Sequence, residues 1–409
     1  MQENKINPDN FEQCLKCNIC ISVCPMLAVN PHYPGPKQAG PDGERYRLKD
    51  PSFYDLTLKY CLNCKRCEVA CPSGVRVGDI IQISRLKYGR QNRPLRDSIL
   101  ADTDLSGSLV TPVAPVANAA LKFKPVRKIM DAFGVDERRT LPEYSSRKFE
   151  SWFRKEALSL QSAFERKIAY FHGCYVNYNF PQLGKDFVKL MNAVGYGVEL
   201  LDKEKCCGVA LISNGMGSKA VRNASANVRA VRKSGRDVLT TSSTCTFTIR
   251  DEYANVLGMD CADMSERVFL ATKWLFDRIE DGRIKLAFRP DFRLKAVYHT
   301  ACHMQKLGWA IYSVSLLKMI PGLELTVLEQ QCCGIAGTFG FKKENYDYSQ
   351  AIGEKLFGSI KAAGPEAAVT DCETCKWQIE MGTGLKVLNP VSVLADALDI
   401  EKTRALNER

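Results

Sequence analysis

The chain has 409 residues, of which 45% are hydrophobic and 25% are charged, so it is neither intrinsically disordered nor a short disulfide scaffold. Its formal net charge is +11, but the basic residues are dispersed and no recognition motif accompanies them, so nucleic-acid binding is not expected. The first ten residues are polar and do not resemble a signal peptide. Because 17 of the 18 cysteines fall in ligand-like groups and only Cys261 stands outside them, the sequence indicates a reducing, cytoplasmic location.

Two cysteine runs near the N-terminus share the spacing C-x2-C-x2-C-x3-C-P, which is typical of proteins that bind two iron–sulfur cubes. In such runs three thiolates hold one cube and the fourth reaches the other. The expected ligands of the two [4Fe–4S] clusters are therefore Cys14, Cys17, Cys20 and Cys71 for one, and Cys61, Cys64, Cys67 and Cys24 for the other. The alternatives are zinc knuckles or disulfides, but zinc usually takes two C-x-x-C pairs and does not account for eight cysteines in two identical runs.

Loading these clusters changes the charge of the chain. A cube held by four thiolates carries roughly −2, so two clusters would lower the net charge to about +7. A protein that stays basic favours an acidic partner or an anionic membrane surface.

The segment between the two runs, 30–50, is rich in Pro and Gly and is expected to be an exposed loop without regular structure. After the second run, Ile80, Ile83 and Lys87 recur at helical spacing, which predicts a helix beside the clusters.

Residues 105–121 carry no charge, but they contain Pro112 and Pro115 and are too short for a membrane-spanning helix. The next stretch places Phe123, Val126, Met130 and Phe133 on one helical face and basic residues elsewhere, as in a helix that lies in a membrane interface. The alternative for 105–133 is a linker with a solvated basic face.

The C-terminal 240 residues contain an internal repeat. Each copy begins with an apolar strand that leads to a cysteine, at Cys174 or Cys302, and continues through a helix and a second strand to a Cys-Cys-Gly (CCG) motif. A further helix and strand then lead to Cys245 in the first copy and to Cys372 and Cys375 in the second. Alternating strands and helices predict parallel sheets with ligands after the strands, hence two α/β lobes related by a pseudo-twofold axis.

The second copy offers five thiols, one more than a simple cube needs: Cys302, Cys332, Cys333, Cys372 and Cys375. The first copy offers Cys174, Cys206, Cys207 and Cys245, with Ser242 where its C-x-x-C should begin, so it holds an altered cluster or none. A redox dithiol or structural zinc is the alternative for the second copy.

Two ferredoxin runs followed by two CCG motifs resemble the iron–sulfur subunits of heterodisulfide reductases, glycolate oxidases and anaerobic glycerol-3-phosphate dehydrogenases. Within this group the segments FHGCYVNYNFPQLGKD, QCCGIAGTFGFKKENY and TDCETCKWQIEM most resemble the C-subunit family of the anaerobic glycerol-3-phosphate dehydrogenases. This resemblance implies electron transfer from flavin-containing A- and B-type subunits to membrane quinone, at the cytoplasmic face of the inner membrane. It also implies an all-helical-type ferredoxin domain and a non-cubane [4Fe–4S] cluster on the five thiols of the second copy.

The implied quinone gives several other residues a candidate role. His172, His299 and His303 lie close in sequence to Cys174 and Cys302, where a histidine could carry the proton that accompanies an electron. His303 and Lys342 are the candidate quinone-binding residues, with Lys343 beside them, although solvated polar side chains are the plainer interpretation. No nucleotide-binding fingerprint follows a strand, so flavin and NAD sites are expected in partners.

The predicted organisation is α plus α/β: a ferredoxin-type domain (1–100), a linker with a membrane-interface segment (101–165) and two CCG repeats (166–292 and 293–409). No dehydrogenase activity is expected from the chain alone. The alternative functions are a catalytic thiol–disulfide reductase, an electron-transfer subunit of a glycolate or lactate oxidase, and a membrane scaffold with structural clusters.

Overall fold

The computed structural model describes residues 10–53, 55–88 and 94–408. Among the described residues before position 100 the structure contains helices and no strand. These helices are Asn10–Gln13, Ile19–Ser22, Gln38–Asp42, Gly43–Lys49, Leu56–Tyr60, Arg66–Val69, Val77–Tyr88 and, leading into the linker, Leu95–Ala101. The helix predicted after the second cysteine run is Val77–Tyr88, with Ile80 and Ile83 buried.

The prediction of an irregular loop at 30–50 was wrong, because its second half is helical. A π-helical turn, Gln38–Asp42, continues directly into the helix Gly43–Lys49. Gly40 explains the turn: a Cβ there would lie 2.9 Å from Val77 Cγ1, so only glycine lets this segment pack so closely against Val77–Tyr88. The packing against that helix, which composition does not reveal, outweighs the low helix propensity of the Pro and Gly residues.

The linker region is also helical, and its prolines mark helix boundaries. Pro112 and Pro115 lie in the first turns of two short helices, where the missing N–H has no intrahelical partner to lose. The linker helices are Thr103–Val110, Thr111–Val113, Ala114–Lys122, Lys124–Ala132, Phe149–Trp152, Phe153–Ala157 and Leu158–Gln161. Within the described ranges no helix has both the length and the apolar character to cross a bilayer.

The first lobe contains a four-stranded parallel sheet. Its strands are β1 (Lys167–Phe171), β2 (Gly197–Leu200), β3 (Val238–Thr240) and β4 (Val268–Leu270), in the order β2-β1-β3-β4. Its helices are Tyr175–Asn179, Pro181–Ala193, Val209–Ser213, Gly217–Ser234, Ser243–Phe247, Thr248–Glu252, Tyr253–Asn255, Ala262–Ser265 and Ala271–Glu280.

The second lobe repeats this topology. Its strands are β5 (Leu294–Tyr298), β6 (Leu323–Val327), β7 (Ala367–Val369) and β8 (Lys386–Leu388), in the order β6-β5-β7-β8 and all parallel. Its helices are Cys302–Leu307, Ala310–Lys318, Phe339–Phe341, Lys343–Asn345, Tyr346–Ala363, Glu373–Thr383, Pro390–Ala397 and Ile400–Asn407. The predicted fold class, a helical ferredoxin-type domain followed by two parallel α/β lobes, is confirmed. The fourth strand of each sheet, β4 or β8, was not predicted from the sequence.

The two lobes share one hydrophobic core. Phe187 from the helix Pro181–Ala193 and Leu394 from the helix Pro390–Ala397 are both fully buried within it. Polar contacts flank this packing: Ser392 Oγ donates to Asp186 at 2.6 Å, and Lys189 Nζ donates to the carbonyl of Ala395 at 2.9 Å. The C-terminal helices of the second lobe therefore help to complete the first.

Each sheet reverses its strand order between its first and third strands, β1 and β3 or β5 and β7. Ligands of open α/β folds bind at the carboxyl ends of the strands beside such a reversal. Cys174 and Cys245 follow β1 and β3, and Cys302 and Cys372 follow β5 and β7. The fold thus positions cysteines at the expected binding edge of both lobes.

Candidate metal centres

The structure places the cysteines of the ferredoxin-type domain in two groups, each drawing three from one run and one from the other. Burial raises the pKa of Cys20, and the thiols of Cys14, Cys17 and Cys71 lie close enough to raise it further. Burial likewise raises the pKa of Cys24 to about 12, with contributions from Cys64 and Cys61. Loss of four protons in one such group requires a positive core, which a metal cofactor supplies.

The two runs have the same backbone conformation. Lys16 and Asn18 in the first run, like Asn63 and Lys65 in the second, have positive φ angles between 54° and 66°. Left-handed residues that alternate with right-handed ones turn successive N–H groups toward one side, which is how many iron–sulfur sites stabilise an anion. A short helix then follows in each run, Ile19–Ser22 or Arg66–Val69.

A cavity marks the second of these groups. Cys24, Cys61, Cys64 and Cys67 line it together with Met26 and Tyr33. Among the residues that the structure describes, no three Cys, His, Asp or Glu side chains enclose a position suited to a single metal ion. Four thiols around a cavity fit a cofactor that fills a volume, and Cys24, Cys61, Cys64 and Cys67 would hold it.

Hydrogen-bond donors reach the sulfurs of both groups. The backbone N–H of Val75 donates to Cys71 Sγ at 3.3 Å, and Gln82 Nε2 donates to Cys61 Sγ at 3.7 Å. Donors to cluster sulfurs stabilise negative charge and thereby adjust the reduction potential.

A buried ion network ties the second cysteine run to the first lobe. The Lys65 ammonium is fully buried, 2.5 Å from Asp79 and 3.3 Å from Glu252 of the lobe. Burial alone would lower the pKa of Lys65, but the surrounding carboxylates raise it well above its usual value, so the lysine stays charged. Asn63 Nδ2 adds a hydrogen bond of 2.7 Å to the same Glu252.

The second cysteine run also meets the second lobe. A hydrogen bond with Cys302 of that lobe lowers the pKa of Cys64 to about 7. Beside this contact His303 Nε2 lies 3.0 Å from the carbonyl of Asn63, and its ring stacks on Phe247 with the centroids 4.7 Å apart. A candidate cluster ligand of the ferredoxin-type domain and one of the second lobe are therefore in direct contact.

The five thiols of the second lobe lie at one end of its sheet in two adjoining sets. Cys302 is hydrogen-bonded to Cys332, and Cys333 Sγ lies 3.4 Å from Cys375 Sγ. The hydrogen bond from Cys375 lowers the pKa of Cys372 to about 5. Gly334 has a φ of 87° and a Cβ there would lie 2.0 Å from the carbonyl oxygen of Ser349, so the CCG turn requires glycine.

The four thiols of the first lobe form a chain of contacts, from Cys174 to Cys206, to Cys207 and then to Cys245. Ser242 takes the place of a fifth thiol. Its Oγ accepts the N–H of Cys245 at 3.1 Å and donates to Glu373 of the second lobe at 2.9 Å. The serine is thus occupied by protein groups, and the first lobe offers one sulfur fewer than the second.

Two acidic residues beside these thiols were not singled out from the sequence. Asp104, from the linker, accepts the N–H of Cys206 at 2.8 Å, and Glu204 accepts the N–H of Gly173 at 2.7 Å. Burial raises the pKa of Asp104 to about 7 and that of Glu204 well above its usual value. Glu204 lies two positions before the CCG motif and could have been noticed there, whereas nothing in the sequence connects Asp104 with Cys206.

The histidines proposed as proton carriers differ in their surroundings. His172 Nδ1 lies 3.0 Å from the carbonyl of Gly173 and 3.3 Å from Glu204, while both ring nitrogens of the buried His299 lack a partner. Burial lowers the pKa of His172, and that of His299 to about 4. His303 is held by Asn63, as described above.

The lysines proposed to contact quinone are engaged by protein groups. Lys342 donates to Asp97 at 2.8 Å and to Asn214 at 2.9 Å, and Lys343 is paired with Asp131. A role for His303 or Lys342 in binding quinone stays a prediction.

A larger cavity, of about 520 Å³, opens beside the second-lobe thiols. Cys372 and Glu373 form one part of its wall, with the aromatic rings of Tyr175 and Phe180 nearby. Thr370, which is buried and also lines the cavity, has an Oγ1 without a hydrogen-bond partner. The cavity falls within the size range of small-molecule sites, about 300–1,000 Å³.

Comparison with known proteins agrees with this organisation. Residues 10–75 match the 4Fe-4S dicluster domain, and residues 168–250 and 296–380 each match the Cysteine-rich domain with its CCG motif. The chain is 55% identical over 398 residues to the C subunit of the anaerobic glycerol-3-phosphate dehydrogenase from Escherichia coli K12, covering 96% of this chain and 100% of that protein.

More distant relatives also align along most of this chain. Identity is 25% to the B subunit of the fumarate reductase (CoM/CoB) from Methanothermobacter marburgensis, over 95% of this chain and 73% of that protein. It is 24% to the glycolate oxidase iron-sulfur subunit of Escherichia coli K12, over 95% of this chain and 94% of that protein.

Proposed function

The chain belongs to the family of the anaerobic glycerol-3-phosphate dehydrogenase C subunits, and we propose that it carries electrons from flavin-containing partner subunits to a membrane quinone. It is an iron–sulfur electron-transfer subunit of a multi-subunit dehydrogenase. Bound iron–sulfur clusters supply the one-electron redox chemistry, and the protein sets their positions and potentials.

The contact between Cys64 and Cys302 is the observation that carries this proposal. With Cys24, Cys61, Cys64 and Cys67 holding one [4Fe–4S] cluster and the second-lobe thiols holding another, the ligand shells of the two would touch. Such contact favours electron transfer from the ferredoxin-type domain to the second lobe. The first lobe has Ser242 in place of a fifth thiol. It contacts the second lobe but lies outside this proposed route.

The group of Cys14, Cys17, Cys20 and Cys71 is the proposed receiving end of the relay. Cys17 is exposed, and two large apolar side chains beside it, Leu15 at 73% and Ile19 at 42%, are open to solvent. An exposed apolar surface next to a redox site fits the docking of a partner that delivers electrons. We assign this surface to the flavin-containing subunits.

The cavity beside Cys372 is the proposed acceptor site. It adjoins the thiols at the far end of the relay, and its aromatic and polar walls fit a planar ring that carries oxygens.

The linker helix Lys124–Ala132 and the residues flanking it are the proposed membrane contact. No residue of this helix is buried, and Phe123, Ile129 and Phe133 are 62%, 58% and 72% exposed. Lys122, Lys124 and Lys128 accompany these apolar side chains and would attract anionic headgroups. This arrangement supports a peripheral position at an anionic membrane surface, and we assign that surface to the cytoplasmic face of the inner membrane.

Replacing Cys302 by serine in the assembled complex tests the relay. We expect the ferredoxin-type clusters to remain reducible by glycerol 3-phosphate, observed by electron paramagnetic resonance, while quinone reduction falls at least about tenfold. Cys261→Ser is the matched control, since this buried thiol lies outside the cysteine groups and accepts a hydrogen bond from Ser265 of the same helical segment. Quinone reduction that survives in Cys302→Ser would remove the second lobe from the route.

The same preparations distinguish the alternative function. About eight irons per chain would leave the lobes empty, and about twelve would place one further [4Fe–4S] centre there. Turnover of a small disulfide by the reduced protein without any quinone would instead support a thiol–disulfide reductase.

A further inference from the structure

Arg139, in the linker, is a buried cation without a carboxylate partner. Its side chain is 1% exposed, and its Nε and Nη2 atoms make no hydrogen bond. Its polar contact through Nη1 is with Met381 Sδ at 3.4 Å, and the guanidinium lies 5.0 Å from the centre of the Phe341 ring. Neither neighbour neutralises a full positive charge.

An unpaired charge in a protein interior costs several kcal/mol, so buried charges are normally paired or bound to ions. The nearby carboxylate of Asp136 does not serve as the partner, because Arg138 holds it with two hydrogen bonds of 2.8 and 3.0 Å. Burial accordingly lowers the pKa of Arg139 to about 10. An anion other than a carboxylate of this chain would therefore stabilise the buried charge of Arg139.

The backbone around Arg139 is fixed to the elements that carry the second-lobe thiols. Asp136 N–H donates to the carbonyl of Phe341 at 3.1 Å, and Lys343 N–H donates to the carbonyl of Gly134 at 2.8 Å, so the segment is attached to the loop after Cys332 and Cys333. On the other side, Met381 belongs to the helix Glu373–Thr383, which contains Cys375. The guanidinium thus lies between the two elements that bring these thiols together.

We infer that Arg139 is the counter-ion of an anionic iron–sulfur cluster held by Cys302, Cys332, Cys333, Cys372 and Cys375. This inference rests on the proposed function, which places a cluster in the second lobe. A core near +2 bound by five thiolates carries roughly −3, so a buried cation beside it is stabilising. Against the effect of burial, negative charge on Tyr346, Cys333 and Asp136 would raise the pKa of Arg139, in that order of influence. Because reduction adds one more negative charge, Arg139 favours the reduced cluster and raises its potential.

Arg139→Met tests this, since methionine removes the charge and keeps an unbranched apolar side chain. Lys355→Met is the matched control: Lys355 is an exposed cation on the helix Tyr346–Ala363 of the same lobe, and its removal leaves Arg138, Asp136 and Arg139 in place. In the full-length holoprotein, potentiometric titration followed by electron paramagnetic resonance reports the second-lobe centre separately from the ferredoxin-type clusters.

For Arg139→Met we expect the reduction equilibrium constant of the second-lobe centre to fall at least tenfold, which for a one-electron couple is a downward shift of about 59 mV. Arg139→Lys should retain most of the wild-type potential, and Lys355→Met should leave it unchanged. An unchanged potential in Arg139→Met would overturn the inference and leave the proposed relay intact. A wild-type chain with only about eight irons would instead remove the second-lobe cluster itself.

If Arg139→Met does not retain the second-lobe cluster, its potential cannot be measured, and the stability of the metal-free proteins against urea becomes the test. A counter-ion without its anion is unfavourable, so metal-free Arg139→Met should be at least as resistant to urea as metal-free wild type. Lower resistance would show that Arg139 serves packing alone and would overturn the inference.

Discussion

Ser242 Oγ donates a hydrogen bond of 2.9 Å to Oε2 of Glu373, across the junction between the two lobes. On the other side of this junction Thr244 Oγ1 lies 3.6 Å from Cys372 Sγ. Ser242 and Cys372 occupy corresponding positions in the two repeats, so the same position of each lobe contacts the other lobe, through partners that do not correspond. The residue that replaces a cysteine in the first lobe thus joins the lobes.

Ser242→Ala should weaken this junction without changing metal content. Both the bond to Glu373 and the helix cap on Cys245 N–H would be lost, so we expect destabilisation of about 1–3 kcal/mol. Urea unfolding of the anaerobically purified protein measures the loss, and iron analysis should give the wild-type value. A decrease in iron would show that Ser242 takes part in binding metal.

Lys65→Met should be strongly destabilising. The substitution would leave Glu252 buried without its cation and Asp79 paired with Arg76 alone, and breaking such a buried network typically costs about 3–5 kcal/mol. Denaturant unfolding, compared with Lys59→Met as a control near the surface, measures the effect. The double substitution Lys65→Met with Glu252→Gln should recover part of the stability, and a double variant as unstable as the sum of the two singles would argue against direct coupling.

Asp104→Asn should change how stability depends on pH. Burial raises the pKa of the folded Asp104 to about 7 from the model-peptide value of 3.8, so the folded state retains a proton that the unfolded chain has already lost between these values. Its contribution to stability is therefore fully present below about pH 4 and is lost as the pH rises toward 7. Asparagine keeps the acceptor for Cys206 N–H without ionising.

The advantage of Asp104→Asn over wild type should grow as the pH rises from about 4 to 7, level off above pH 7 and reach about 2–4 kcal/mol. Urea unfolding at several pH values, all mild enough to retain the clusters, provides the measurement. A difference that does not vary with pH would show that Asp104 is ionised throughout.

Phe123→Ser combined with Ile129→Ser should weaken binding to anionic vesicles. Each side chain is more than half exposed, and inserting it into a membrane interface is worth up to about 1.5–3 kcal/mol, so the partition coefficient should fall at least about tenfold. Co-sedimentation with phosphatidylglycerol vesicles provides the measurement. Ile311→Ser, which alters a side chain 60% exposed in the second lobe, should bind like wild type. Equal loss in the control would mean that the linker is not the contact.

The sequence by itself determined the local and repeated features. The C-x2-C-x2-C-x3-C-P runs predicted the cysteine groups in which the structure places Cys20 with Cys71 and Cys24 with Cys64, because short fixed spacings constrain which sulfurs can converge. The repeated strand, helix and CCG pattern predicted two parallel lobes, because burying apolar strands between helices leaves few arrangements.

Only the tertiary structure decided how these parts meet. Two contacts join segments more than a hundred residues apart: the ion pair of Lys65 with Glu252 and the contact of Cys64 with Cys302. The burial of Arg139 depends on a similar junction between the linker and the second lobe. No periodicity or spacing encodes them, since each depends on the shape of two packed surfaces. The helix within 30–50 formed for the same reason, because packing of Gly40 against Val77 outweighs local propensity.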